Sequence, residues 1–466
     1  MAELHDLTAL EQADLVGRRE VSPRELTDHY LERADRLDSV GAFVTLTPDL
    51  ARDRADALVP GDDDGPLFGV PTAIKDLNET AGVRTTFGSA VFADFVPETS
   101  DGVTLSIEAA GMVSIGKTNT PEFGSTAYTE AEVAPPAVTP WDRTRTAGGS
   151  SGGAAAAVAA GLVPLAQGSD GAGSIRIPAS CCGLVGLKPS RGRVSGYPAY
   201  ADPVGFVTAG PLTRTVADAA AMLDVLAGHR PGDPSWAPAP ADTFLSACER
   251  PPDRLRIARF SRPVLADVAV DPECLRAWED ASRLLDSLGH DVEDVEMPLS
   301  RDAVPLFEAC WAVGTALTVI PPEREHLRRP ITRWLADGGQ ALNGPVYGLV
   351  IGAIRRHAAA ALTALAPYAA VLTPTLAQPP VPVGAMRDDE HPDRDFADQI
   401  AFTPYTSVWN VTGMPAFSLP LHWTPEGLPV GVMLAGRRPA EEELLISLAA
   451  QVERAAPWSE RRPPGW

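Results

Sequence analysis

Lysine is nearly absent from this chain. Of 39 basic residues only Lys75, Lys117 and Lys188 are lysine, and all three stand in apolar or Gly-rich segments rather than on charged helix faces. Arginine cannot be deprotonated in a protein, whereas a desolvated lysine can be tuned to act as a base. A chain that writes Arg wherever a surface cation will serve leaves Lys where a proton must be lost. Lys75, in GVPTAIKDL, is therefore the first candidate for a general base; chance survival of three lysines under codon bias is the bland alternative. Cysteine is scarce too. Cys181, Cys182, Cys248, Cys274 and Cys310 are odd in number, scattered and without a CxxC spacing, which favours reduced thiols over disulfides or a zinc site. The eight histidines form no HxH or HxxxH pair, so neither a protein-bound metal nor another cofactor is expected. Positive charge is in deficit: a formal net charge of −22 argues against nucleic acid and anionic membrane as partners. The N-terminal stretch MAELHDLTALEQADLV has no basic region followed by an apolar core, and no apolar run approaches membrane-spanning length. A cytoplasmic location is expected.

What is present is a globular composition, 45% hydrophobic and 21% charged over 466 residues, enough for one large α/β domain or two to three smaller ones. Ser22-Pro23-Arg24-Glu25 is a capping box with Pro at the first helical position, followed by Leu26, Tyr30, Ala34 and Leu37 along one face. The region 1–60 is expected to be a helical cover, closed by an acidic loop at 60–66. Runs at 67–74, 113–115 and 163–167 read as strands alternating with helices at 103–110 and 153–162. A helix at 213–228, a surface crossing at 228–240, and strand, helix and strand at 255–260, 271–288 and 291–295 continue the rhythm, which argues for an α/β sheet protein. Residues 300–365 are largely helical, 370–373 returns as a strand, and 385–395 is the least structured stretch. The expected organisation is a single domain over 1–466: the cover, a catalytic core at 67–228, a variable, largely helical region at 229–400 and a return to the core at 401–466.

The densest chemistry lies between Thr146 and Ser195. Ser150 in GGSSGG and Ser174 in DGAGSIR stand in Gly-rich backbone, separated by an Ala-rich helix and a strand. Flanking glycines let the backbone approach a ligand and turn N–H groups inward, as an oxyanion hole requires. Gly148 to Gly152 fits GxSxG in letters, but the preceding TPWDRTRTA is no buried strand, which rejects a nucleophile elbow. A capped helix N-terminus would explain Ser150 alone. It does not explain a second Gly-rich serine 24 residues later together with an isolated lysine. GMVSIGKT at 111–118 matches the phosphate-loop pattern in letters, yet its middle residues read as a strand and Asn119-Thr120-Pro121 follows where a helix should begin. An NTPase is rejected.

GVPTAIKD, GKTNTPEFG, GGSSGGAAAAVAAG, GSDGAGSIRIPASCCGLVGLKP and, later, NVTGMPAFSLP with GLPVGVML resemble the amidase signature family over nearly the whole chain. The resemblance implies one large α/β domain with a mixed central sheet flanked by helices, and a Ser-cisSer-Lys triad that hydrolyses amides without metal or cofactor. Carried over by position, Ser174 is the nucleophile, Ser150 the bridging serine after a cis peptide bond, and Lys75 the base. The chemistry can also be argued by itself. An amide needs an activated hydroxyl, a stabilised oxyanion and a proton returned to nitrogen. Lys75 would have to fall to about 7–8, through desolvation among Val70, Ile74 and Leu77. Backbone N–H groups of Gly171, Ala172, Gly173 and Ser174 would form the oxyanion hole. Arg176 is read as a structural partner of Asp170, Lys117 and Lys188 as structural, Cys182 as a small core residue, and Cys310-Trp311 and Trp409-Asn410 as core rather than pocket.

Where most family members read TGGS or IGGS before the nucleophile, this chain reads Gly171-Ala172-Gly173-Ser174. That variant is similar to the branch containing 6-aminohexanoate cyclic-dimer hydrolases and implies linear or cyclic amides of ω-amino acids as substrates. The expected partner is a small-molecule amide, with a homo-oligomer left open. Two alternatives stand beside this reading: a transamidase subunit that hydrolyses glutamine and passes ammonia to a partner chain, and a non-catalytic binding protein, against which the intact Lys75, Ser150 and Ser174 argue.

Overall fold

The capping box at Ser22 forms as its residues dictate. Ser22 Oγ accepts from Glu25 N at 3.1 Å, Glu25 accepts from Ser22 N at 2.9 Å, and the helix Pro23–Leu37 turns Leu26, Tyr30, Leu31 and Ala34 into the core. The computed structural model describes residues 3–61, 64–198, 202–297, 299 and 301–466. Asp62 and Asp63 of the 60–66 loop lie outside the described residues.

Two sheets organise the chain. Strands β1 (Phe43–Leu46), β2 (Pro71–Lys75) and β3 (Val113–Thr118) lie in the order β1-β3-β2, with β1 antiparallel and β2 parallel to β3. The larger sheet holds β4 (Leu165–Asp170), β5 (Val185–Lys188), β6 (Thr208–Thr213), β7 (Arg256–Arg259), β8 (Asp291–Asp294), β9 (Ala370–Pro374), β10 (Ala416–Trp423) and β11 (Pro429–Gly436). Its order is β4-β6-β5-β10-β11-β9-β7-β8, antiparallel as far as β9 and parallel through β7 to β8, a mixed sheet flanked by helices. Strands β2, β9 and β11 are buried throughout, and β11 accordingly reads as a continuous apolar run instead of an alternating one.

Several boundaries differ from the sequence reading. Strands β1, β5, β6, β10 and β11 were not expected; β5 is four residues long and β6 reads TAGPLT, with Gly and Pro punctuating the pattern. The helix expected from 213 begins at Val216, capped by Thr215, because 208–213 is strand. The stretch expected to be least structured ends in the helix Pro392–Phe402, and Arg387 and Arg329 both pair with Asp389 ahead of it. Among the described residues one helix, Gly344–Leu365, is long and apolar enough to cross a membrane by length and composition, contrary to expectation. It carries Arg355 and Arg356 at its middle and buries Ile354, Ala358, Ala361 and Leu365 within the protein.

Two seams place the site. Lys75 N donates to Gln167 Oε1 at 3.0 Å and Thr72 Oγ1 to Leu165 O at 3.2 Å, which stitches β2 of the small sheet to the β4 edge of the large one. The helix Gly152–Ala159 packs so closely on the chain that a Cβ at Gly153 would stand 2.3 Å from Asn119 N and 2.5 Å from Ala42 O. Only glycine permits that approach.

Candidate active site

Lys75 ends β2, Ser150 precedes the helix Gly152–Ala159, and Ser174 lies between β4 and the helix Arg176–Cys182. The three meet at the seam between the sheets. Lys75 is fully buried, Ser150 2% exposed and Ser174 6% exposed, facing a cavity. Lys75 Nζ lies 2.7 Å from Ser150 Oγ, 3.0 Å from Ser169 Oγ and 3.5 Å from Ser169 O. All three partners are neutral oxygens, and among the described residues no carboxylate forms an ion pair with it. Burial lowers Lys75 to about 7, against the opposing pull of Asp170. The Gly149-Ser150 peptide bond is cis. Ser151 N donates to Ser174 O at 3.1 Å, tying the two serine segments together. Ser150 Oγ and Ser174 Oγ make no direct hydrogen bond among the described residues.

The loop after β4 is held by one carboxylate. Asp170 accepts from Gly173 N at 2.8 Å, Ile175 N at 3.2 Å and both ends of the Arg176 guanidinium at 2.9 Å. Burial would raise this carboxyl, but Arg176, Lys188 and Asn410 hold it well below the usual carboxylate range. This corrects the expected donor set. The Gly173 N–H is committed to Asp170 and cannot face a substrate oxygen. The N–H groups of Gly171, Ala172 and Ser174 have no acceptor among the described residues, and Ala172 takes an ordinary negative φ while Gly173 takes +130°.

Arg176 is the structural partner of Asp170, fully buried, as its sequence context implied. Lys117 donates to Asn78 O and, at 2.8 Å, to Thr85 Oγ1, and faces Asp76; burial lowers it to about 8. Lys188 donates to Pro189 O at 2.8 Å and is lowered to about 7 by burial and by Arg176. Cys182 is fully buried. Trp409 lies in the core, but Cys310 and Trp311 do not simply pack there: both line cavities, and Trp311 faces the one beside Ser174.

Sequence reasoning missed several participants. Ser169, the second hydroxyl on Lys75, and Gln167 sit in the same QGSDGAGS run as the nucleophile candidate, so the run itself was the available signal. Thr406 Oγ1 donates to Ala172 O at 2.6 Å from 234 residues away. Asn410 Nδ2 donates to Asp170 O at 2.9 Å and to Asp170 Oδ1 at 2.8 Å, and Asn410 Oδ1 accepts from Arg176 at 2.7 Å. Asn410 opens the NVTGMPAFSLP motif, but nothing in the motif says that it reaches Asp170, and nothing local marks Thr406. Among the described residues no group of three or more His, Cys, Asp or Glu is placed to hold a metal.

Residues 25–445 match the model of the Amidase family. The chain is similar to a putative amidase of Synechocystis sp., 36% identical over 96% of this chain and 88% of the relative. It is similar to a 6-aminohexanoate-cyclic-dimer hydrolase of Paenarthrobacter ureafaciens, 33% identical over 98% of this chain and 96% of the relative. One component of the glutamyl-tRNA(Gln) amidotransferase of Synechococcus sp. is similar as well, 36% identical over 95% of this chain and 96% of the relative. A solved structure of 6-aminohexanoate cyclic dimer hydrolase complexed with substrate superposes with a TM-score of 0.93 at 31% identity, covering 99% of each chain.

Proposed function

The chain belongs to the amidase signature family and is an enzyme acting on amide carbon–nitrogen bonds, and we propose that it hydrolyses a linear or cyclic carboxylic amide through Lys75, Ser150 and an acyl-enzyme on Ser174. Neutral Lys75 accepts the proton of Ser150 Oγ while Ser150 accepts that of Ser174 Oγ. The Ser174 oxygen bonds the carbonyl carbon, and the oxyanion is met by N–H groups drawn from Gly171, Ala172 and Ser174. Ser150 then returns a proton to the departing nitrogen as the carbon–nitrogen bond breaks, and water releases the carboxylate by the reverse relay. Catalytic hydrogen bonds commonly tighten when substrate binds, which is the step asked of the pair Ser150 and Ser174.

The observation that carries this reading is a fully buried lysine, 2.7 Å from a serine hydroxyl, with neutral partners only. Such a lysine is stable without its proton; Lys188 is lowered alike but donates to a backbone carbonyl, so the serine hydroxyl beside Lys75 is what sets it apart. Ser174→Ala should abolish turnover and labelling by a fluorophosphonate while leaving Tm within a few degrees, because the methyl fits the same space. Label on Ser150 or Ser151 instead would overturn the assignment. Five buried free thiols support a reducing, cytoplasmic setting. The amidotransferase relative supports a second reading, a glutamine-hydrolysing component of a larger assembly. Co-purification with a second chain and ammonia release from glutamine would favour it.

A further inference from the structure

The cavity beside Ser174 is walled by Ile177, Val304, Phe307, Trp311, Phe396 and Ile400, and no Asp, Glu, Lys or Arg lines it among the described residues. Apart from Ser174 and Ser407, its polar side chains are already committed within the protein. Ser125 Oγ donates to Glu122 O and Thr126 Oγ1 to Tyr128 O, each at 2.7 Å, and Thr403 Oγ1 donates to Gln399 O at 2.8 Å. Gln399 Oε1 accepts from Ala127 N at 2.8 Å, and its Nε2 donates to Asp395. Phe206, Phe307 and Trp311 stack in series, with centroids 5.6 and 5.7 Å apart and planes within 22°. Trp311 also abuts the loop that carries Ser174, since a Cβ at Gly171 would stand 3.2 Å from its ring. Trp311 and Ser125 also line a second cavity, whose walls include Asp101, Asp202, Asp233 and Arg191 and which reaches Ser169 beside Lys75. The tryptophan is thus a shared wall between an uncharged compartment and a charged one.

We infer that the substrate carries an uncharged apolar group, aliphatic or aryl, on its scissile amide, and that this group packs on Phe307 and Trp311 in the cavity beside Ser174. The inference rests on Ser174 being the attacking residue. An apolar group gains by leaving water and by stacking on the aromatic wall. A charged group there would lose its hydration with no counter-charge to replace it. The ammonium and carboxylate of free glutamine are both of that kind, so the same wall disfavours glutamine as substrate. Phe307 and Trp311 are specificity-determining residues on this reading.

The test is ammonia release from a panel of primary amides by the purified full chain. Hexanamide and benzamide should exceed glutamine and succinamate in kcat/KM by about 100-fold or more. Equal or better turnover of either charged amide overturns the inference. Trp311→Ala should lower benzamide relative to acetamide roughly tenfold. Because that change could disturb the neighbouring loop, Ile400→Asp is the second variant: it should move the ranking from hexanamide toward 5-aminopentanamide, and an unchanged ranking overturns the inference. Fluorophosphonate labelling of Ser174 is followed in each protein. With labelling intact, a panel blind to charge defeats this inference alone, whereas wild-type enzyme unlabelled at Ser174 defeats the serine chemistry beneath it.

Discussion

At Lys75 a single side chain links burial to acid–base chemistry. Its value of about 7 lies below the ordinary 10.5 because the apolar walls of the seam disfavour the ammonium. Two consequences follow from that one shift. For activity the neutral amine is needed, so kcat/KM should rise as pH increases through about 7. For stability the folded state releases the proton that the unfolded chain still holds between about 7 and 10.5, so stability should rise with pH across that window. Lys75→Arg keeps a cation but cannot take a proton, and should lose roughly 10²–10⁴-fold in kcat. Lys75→Met should be as inactive yet melt higher than wild type at pH 8, since folding then has no proton to remove from that side chain; calorimetry and a pH–rate profile check both. An arginine variant near the wild-type rate would remove Lys75 from the base role. The candidate is legible in the sequence, because three lysines among 39 basic residues is a compositional signal that needs no fold to be seen.

The loop between β4 and the helix Arg176–Cys182 shows what an element decides that its letters do not. Gly173 holds φ +130°, and a Cβ there would stand 2.5 Å from Thr406 Oγ1 and 2.6 Å from Thr406 Cβ. Gly173→Ala should therefore destabilise by roughly 2 kcal/mol or more and cost about 10²-fold or more in kcat, by displacing the N–H groups on either side. Ala172→Gly, at a residue with ordinary negative φ, should leave Tm nearly unchanged, lower kcat modestly and shift the ranking of acyl groups. Asn410→Ala would strip a donor from buried Asp170 and an acceptor from buried Arg176, and should cost about 2–4 kcal/mol. Its kcat should fall as well, since Asp170 fixes the Gly173 N–H. Chemical denaturation beside single-turnover rates separates the two effects. The motif DGAGS announced the loop in the sequence. Which of its N–H groups face a ligand did not follow, because that depends on the direction of the Asp170 carboxylate, which Arg176 and Asn410 set from outside the loop.

At the scale of the whole molecule, segments remote in sequence close on one another. His5 Nδ1 lies 3.2 Å from His29 Nε2 with the rings stacked, Trp466 Nε1 donates to Asp6 Oδ1 at 2.9 Å, and Arg214 sits over the Trp466 ring. Burial, then Arg33 and His29, lowers His5 to about 4 from 6.5. The unfolded chain therefore takes up a proton between 6.5 and 4 that the folded chain refuses, and stability should drain away as pH falls through that window. His5→Phe keeps a ring in the stack and should flatten the dependence of Tm on pH between 6.5 and 4; an unaltered slope would assign the acid sensitivity elsewhere. The sequence by itself determined the α/β alternation, the family, and the three residues proposed for the chemistry, because these rest on local pattern, ordered motifs and the scarcity of lysine. Only the tertiary structure decided that Ser169 shares Lys75, that Gly173 is not a free donor, that Thr406 and Asn410 reach the Ser174 loop, and that Trp311 walls an uncharged cavity. The contacts of Ser169, Thr406, Asn410 and Trp311 join residues across the two sheets or from segments far along the chain, and the carboxylate that takes the Gly173 N–H is itself held by distant Asn410; the chain order carries no periodicity that would bring them together before the sheets are paired.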